Sequence, residues 1–498
     1  MRKLFVLVVA FTMVAVVGVT SQSAATADTA GPQVVTNQLR AAVSANGILG
    51  YEQVLAHIAD QNNEDRASGS PGFNAAAAYV TRTMQSYGFE VRQQPFTFPY
   101  YNQLAAPSLS EVTPAATNFT NITTIDYSGS GNITAPLVPA ANINTSDPSE
   151  GSSSGCAASD FTPVPPGVKE IALIQRGTCI FDQKVENAEA AGYSAAVIFN
   201  SGTDGNTGQL GATLGTIEPI PVIGLDYTDG AALYAAAQAG PVTMNVQSTT
   251  SEIPNDKTEN IIAETRGGDP NHVVMVDAYL DALSSGPGIN EDGSGVATML
   301  ELANVISRLH LDPRYKIEFV FFGGDQARAF RSADSSEIGL LGSQYFVDQL
   351  SPKQLSGIIA NIDLDSTGSP NFVRFVFNGD GPVADPASVA ISNLYTSAFS
   401  TMGLASELAE PATFDGADFG PLIDAGIPTG GVFGGAAGVK TTQEAQIYGG
   451  TAGDDYDACF HQSCDNIDNL NPTALWQFGG ATAAVVWTLA TQGLHVGS

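Results

Sequence analysis

The chain has 498 residues, with 50 Asp and Glu against 19 Lys and Arg and a formal net charge of −31. That length allows more than one domain and a full hydrophobic core. So acidic a surface repels phosphate backbones and argues against nucleic-acid partners, while it tolerates divalent cations well.

Residues 1–27 read as a secretory signal peptide: Arg2 and Lys3 come first, Leu4 to Val19 is apolar, and Ala25-Thr26-Ala27 is a small-residue cleavage site. The expected location is therefore extracellular. No later apolar run is long enough to span a bilayer, so no membrane anchor is expected. The four cysteines, Cys156, Cys179, Cys459 and Cys464, make an even set suited to two disulfides. The simplest pairing is by proximity, Cys156–Cys179 and Cys459–Cys464.

In chain order, Pro32 to Asn62 has apolar residues at helical spacing, with Leu39, Val43, Ile48, Val54 and Ile58 on the buried stripe. Arg66 to Gly72 is a loop, Phe73 to Tyr87 a helix closed by Gly88, and Phe89 to Phe98 a strand. From about Ala106 to Thr250, Gly, Ser, Thr, Asn and Pro rise and the predicted strands are short. This texture predicts a β-rich module, 106–250, inserted between a first part, 28–105, and a second part, 251–498, of the main domain. Strands are predicted at Asn260–Glu264, Val273–Val276, Ile317–Phe322, Ile358–Leu364, Val373–Phe377 and Ile427–Val432. Helices are predicted at Gly293–Leu309, Ser343–Gln349, Pro386–Met402 and Pro472–Thr491. The alternation predicts an α/β fold, a mostly parallel mixed sheet flanked by helices.

The ends of these strands carry the chemistry. Asp277 and Asp281 follow one strand, Glu291 and Asp292 lie in a Gly-rich turn, Asp325 follows another strand, and Asp363 and Asp365 end a third. His461 lies between Cys459 and Cys464, in a segment that a disulfide would pin. In an open α/β sheet, ligands bind at the carboxyl ends of the strands. Carboxylates with one histidine and no catalytic thiol suit a divalent ion that activates water.

The segments NIIAET, GPGIN, DGSG, GLLGS, DLDSTGSPN, GIPTGG and GGTAGDDYDACFHQSCDNIDN occur in an order that resembles the secreted two-zinc aminopeptidases of metallopeptidase family 28. Ile171 to Asn200 is similar to a protease-associated (PA) domain, which makes 106–250 an inserted PA domain within a peptidase domain. The resemblance implies a zinc aminopeptidase fold and hydrolysis of N-terminal residues from peptides. Two zinc ions would share an aspartate, and a glutamate would take a proton from the bridging water. Carried across, Asp365 and His461 match metal ligands, and Glu291 stands at the bridging aspartate. Asp281 matches the aspartate behind the first histidine, whose own position holds Tyr279. The Glu-Glu doublet, base then ligand, falls on Ser336 and Glu337 before Gly339. Counted from the preceding strand, it falls on Asp325 and Gln326, with Ala327 to Ser336 as an insertion and Asp325 as a shorter base. The implied metal residues are thus Glu291, Glu337, Asp365 and His461, the catalytic ones Asp325 and Asp281, and the altered positions Tyr279 and Ser336. One or two zinc ions, peptides or protein N-termini as partners, and a monomer are expected. The alternative is a catalytically inactive homologue that binds peptides or proteins.

Overall fold

The computed structural model describes residues 32–203, 206–329, 339–379, 385–410, 418–436 and 438–494. The expected signal peptide, Ser336 and Glu337 lie outside the described residues.

The N-terminal helical pattern forms two helices, α1 (Pro32–Ala42) and α2 (Ala45–Asp60), followed by α3 (Pro71–Ser86). Ser44 and Ser70 cap α2 and α3 by accepting from Gly47 N and Phe73 N. The next strand runs much further than its apolar start predicts: β1 covers Glu90–Thr113. The following elements are β2 (Thr117–Phe119), β3 (Ile122–Thr124), β4 (Gly131–Pro139), β5 (Ile171–Gln175), α4 (Phe181–Ala190), β6 (Ala195–Phe199), β7 (Val222–Leu225) and α5 (Tyr227–Ala239). Then β8 (Thr243–Glu264) returns antiparallel along almost the whole of β1. The polar middle of this ribbon carries no apolar alternation, because neither face of it is deeply buried there. The expected module limits near 106 and 250 both fall inside the ribbon.

The remaining elements are β9 (Asp269–Tyr279), α6 (Gly293–Arg308), β10 (Tyr315–Phe322), α7 (Leu341–Asp348), α8 (Pro352–Gly357), β11 (Ile358–Asp365), β12 (Phe375–Phe377), α9 (Pro386–Thr401), β13 (Glu407–Ala409), α10 (Gly420–Asp424), β14 (Thr429–Phe433), α11 (Thr442–Tyr448) and α12 (Pro472–Gln492). The strand order is β13-β12-β14-β11-β9-β10-β8-β4-β5-β6-β7-β3. Pairing is parallel for β9 with β10 and β11, and for β11 with β14, as the alternating pattern predicts. It is antiparallel where β8 meets β10 and where β12 meets β14. In the inserted unit β4, β5, β6 and β7 are parallel neighbours, with α4 connecting β5 to β6 and α5 leading from β7 to β8, so this unit is itself α/β in character.

One face of the main sheet packs Val274, Val276, Ala278, Ile362 and Leu364 against α6 and α12. The opposite face buries Met275, Tyr279, Val320 and Phe322 with Phe346 and Leu422. The three central parallel strands end at Tyr279, Phe322 and Asp365, which sets those residues and the loops after them on one edge. Among the described residues, no helix is long and apolar enough to cross a membrane.

Candidate functional site

The Gly-rich turn after β9 is held by its own side chains. Asp292 caps α6, accepting from Gly295 N at 3.0 Å, and also accepts from Ser366 N at 3.1 Å, so it ties the helix start to the end of β11. A Cβ at Gly295 would meet Asp292 Oδ2 and Leu364 O, each at 2.4 Å, so only glycine allows this approach. Asn290 N and Glu291 N donate to the two oxygens of Asp465, at 2.8 and 3.1 Å. Arg66, expected only as part of a loop, is fully buried. Its guanidinium donates to the carbonyls of Pro287, Leu280 and Gly288. Burial holds it below the ordinary arginine value, and Glu52, Asp465, Asp281 and Asp292 act in the opposite sense. One cation from the N-terminal loop thus gathers the turn.

Glu291 is the centre of the site. Its Oε1 accepts from the Tyr279 hydroxyl at 3.0 Å and lies 2.9 Å from His461 Nε2, with Gln326 Nε2 at 3.5 Å. Where Glu291 is ionised it can only accept, and the imidazole then holds its proton on Nε2 in this contact. Burial first, then the Glu291 carboxylate, push the Tyr279 phenol well above its ordinary value, so it stays protonated. His461 is presented by the Cys459–Cys464 disulfide loop with a left-handed backbone (φ 60°), and Ser285 donates to its carbonyl at 3.1 Å. The other disulfide, Cys156–Cys179, also forms as expected.

Around this centre lie more acids. Asp365 accepts from the Ser366 hydroxyl at 2.7 Å, and burial followed by the Glu291 charge pushes its carboxyl well up. Asp325 is buried with Oδ1 unpartnered; burial, then Asp418, Asp281, Asp365 and Glu291, push it well up. Asp281 orients no histidine. It accepts from the backbone N–H groups of Asp325 and Gln326 at 3.1 and 3.2 Å, and burial raises it to about 7. Its role is to shape the turn that delivers those two residues.

The structure therefore brings Tyr279, Glu291, Asp325, Asp365 and His461 to one centre. Gln326, which one of the two alignments puts at the ligand position of the doublet, belongs there too. The signal for it is positional: Asp325-Gln326 directly follows β10, the register in which the Glu-Glu doublet would abut that strand.

A cleft of about 480 Å³ opens beside the centre. Its lining includes Asp281, Gln326 and His461 together with the aromatic side chains Phe98, Tyr100, Tyr101 and Tyr127. Arg328 pairs with Asp126 of the inserted unit at 3.5 Å across its margin.

Comparison with known proteins accords with this layout. Residues 260–486 match Peptidase family M28, and residues 133–233 match the PA domain. The chain is 38% identical over 461 residues to an aminopeptidase of Pseudomonas aeruginosa, covering 89% of this chain and 80% of that protein. It is 31% identical to the probable lipoprotein aminopeptidase LpqL of Mycobacterium tuberculosis, covering 90% of this chain and 85% of that one. The fold is similar to the solved aminopeptidase from Aneurinibacillus sp. strain AM-1, with a TM-score of 0.69 at 23% identity, covering 93% of this chain and 98% of the other. It is also similar to a zinc aminopeptidase from Bacillus subtilis, with a TM-score of 0.61 at 22% identity and coverage of 90% and 96%. These matches support a peptidase function. The chain belongs to peptidase family M28, in the aminopeptidase group that carries a PA domain.

Proposed function

We propose that this chain binds the free N-terminal ends of peptides in the cleft beside His461 and does not cleave them by two-zinc hydrolysis. The observation that carries this reading is the crowding of Glu291 Oε1 by donated hydrogens from Tyr279 and His461, with the Gln326 amide close by. Two metal ions sharing a carboxylate need lone pairs directed at the shared position. At Glu291 Oε1 a protonated phenol donates instead, and the Gln326 amide N–H lies 3.5 Å from the same oxygen. A neutral-pH phenol is a far poorer ligand than imidazole, since its ordinary pKa is near 10 against about 6.5. The residues do not fit a pair of zinc ions.

Recognition remains well supported. A peptide's amino terminus is a cation with N–H donors, and the cleft offers carboxyl oxygens at Asp126 and Asp281 in its lining and at Glu291, which contacts the lining residues His461 and Gln326. The aromatic lining of Phe98, Tyr100 and Tyr101 suits an apolar first side chain. The inserted unit, taken as 106–250, contributes Asp126 and Tyr127 to the lining of the cleft. The expected signal peptide and the two disulfides support action outside the cytoplasm, as a monomer.

The experiment compares short peptides with free and acetylated N-termini by calorimetric titration, alongside release of amino acids from aminoacyl-nitroanilides with added zinc. Binding that falls at least about tenfold on acetylation, with no release, is expected. Steady turnover would instead establish the second reading, a single-metal hydrolase. The surviving ligand types Glu291, Asp365 and His461 favour that reading.

A further inference from the structure

Directly beneath the centre lies a second group of acids that the proposed function does not use. Asp277 and Asp363 stand opposite each other on β9 and β11, two residues before Tyr279 and Asp365. They share the face of those residues, about 7 Å further down the strands. Asp418, at the start of the segment leading to α10, completes the group, and all three are fully buried. One carboxylate oxygen from each lies within 4.8 Å of the others.

Their hydrogen bonding is unfinished. Asp277 Oδ2 accepts from Asn361 Nδ2 at 3.2 Å. Asp277 Oδ1 and both oxygens of Asp363 and Asp418 accept from no neighbouring donor group, Asp363 and Asp418 meeting only each other, carboxyl to carboxyl, and the buried Asn361 Oδ1 likewise meets no donor. No Lys or Arg pairs with any of the three among the described residues. Arg66, the buried cation of the region, is committed to backbone carbonyls. Buried carboxylates left without hydrogen bonds or counter-charge are costly.

The geometry points to a divalent-cation site formed by Asp277, Asp363 and Asp418, with the Asn361 amide oxygen as a further ligand once the amide turns over. The donors are all oxygens, which selects a hard ion such as calcium, magnesium or manganese over zinc. Calcium–oxygen bonds of about 2.4 Å span the observed spacing without contraction of the group. The ion would bind one layer below the family's zinc level and would fasten β9, β11 and the α10 segment together, a structural role independent of the proposed peptide binding.

The test uses the full mature chain, stripped with chelator and returned to calcium, magnesium or manganese. Equilibrium dialysis should show about one ion retained per chain, and thermal unfolding should rise by roughly 5 °C at saturating ion. Both responses should persist in His461→Ala, which alters only the upper centre, and should vanish in Asp363→Asn and Asp277→Asn. Should those variants not fold, the dialysis stoichiometry of the unmodified chain and of His461→Ala decides. The inference is overturned if no ion is retained. It is equally overturned if binding is lost in His461→Ala but kept in Asp363→Asn, or if Asp363→Asn stabilises the metal-free chain with no ion response in the parent, which would mean the acids share protons.

Discussion

At the scale of single residues, the centre turns on Tyr279 and Gln326. Each supplies a hydrogen where a metal would need a lone pair, and both point at Glu291 Oε1. Replacing them together, Tyr279→His with Gln326→Glu, should create zinc binding absent from the parent, measured by metal analysis after dialysis, and nitroanilide hydrolysis should accompany it. If the double variant stays metal-free, the hydrogen-bonded closure is not what excludes zinc. Arg66 offers a stability test. Arg66→Ala would leave Glu52, Asp465 and three carbonyls without their shared buried cation, an expected loss of about 3–5 kcal/mol in urea unfolding. The acids and His461 were legible in the sequence because each follows a strand end or sits between cysteines. Arg66 was not, since a loop arginine looks like any exposed charge until the turn folds over it.

At the scale of elements, the two disulfides do different work. Cys156–Cys179 closes a span of 23 residues that contains β5 and ends just before α4, whereas Cys459–Cys464 closes only 5 and holds His461 against Glu291. Removing the first pair by Cys156→Ser with Cys179→Ser should cost about 3 kcal/mol in denaturant unfolding. Removing the second should cost less stability but weaken peptide binding, because the shorter loop restricts the unfolded chain less while fixing a site residue. A pH effect belongs to the inserted unit. Burial, then the neighbouring Asp182 carboxylate, raise Glu218 from 4.5 to about 8. Between these values the unfolded chain has already released the proton that the folded chain keeps. Stability from this group is therefore full below pH 4.5 and declines as pH rises toward 8. In Glu218→Gln that decline should flatten, as read by urea midpoints at pH 5 and pH 8. An unchanged slope would remove Glu218 from the account. The strand β1 shows where element prediction stops. Its apolar start was readable, but its extension to Thr113 depends on pairing with β8, more than a hundred residues away in sequence.

At the scale of the whole molecule, β1 and β8 run through both units and pair with each other from Glu90/Glu264 to Thr113/Thr243. One end of β8 meets β10 of the main sheet and the other meets β4 of the inserted unit. Two units sharing the same continuous strands cannot separate without breaking this ladder, so heating should give one cooperative transition. Calorimetric and van't Hoff enthalpies should agree; a clear excess of the calorimetric value would show independent unfolding. The sequence by itself determined the α/β class, the inserted unit, the cysteine pairing and the strand ends that carry acids, because hydrophobic period, turn residues and local spacing are properties of short stretches. Only the tertiary structure decided that Gln326 and Tyr279 meet at Glu291, that Asp281 serves the turn after β10 instead of a histidine, and that Asp277, Asp363 and Asp418 form a separate group below. Those relations join residues brought together by the parallel register of β9, β10 and β11 and by the loop before α10. No local pattern records which side chains such a register sets face to face.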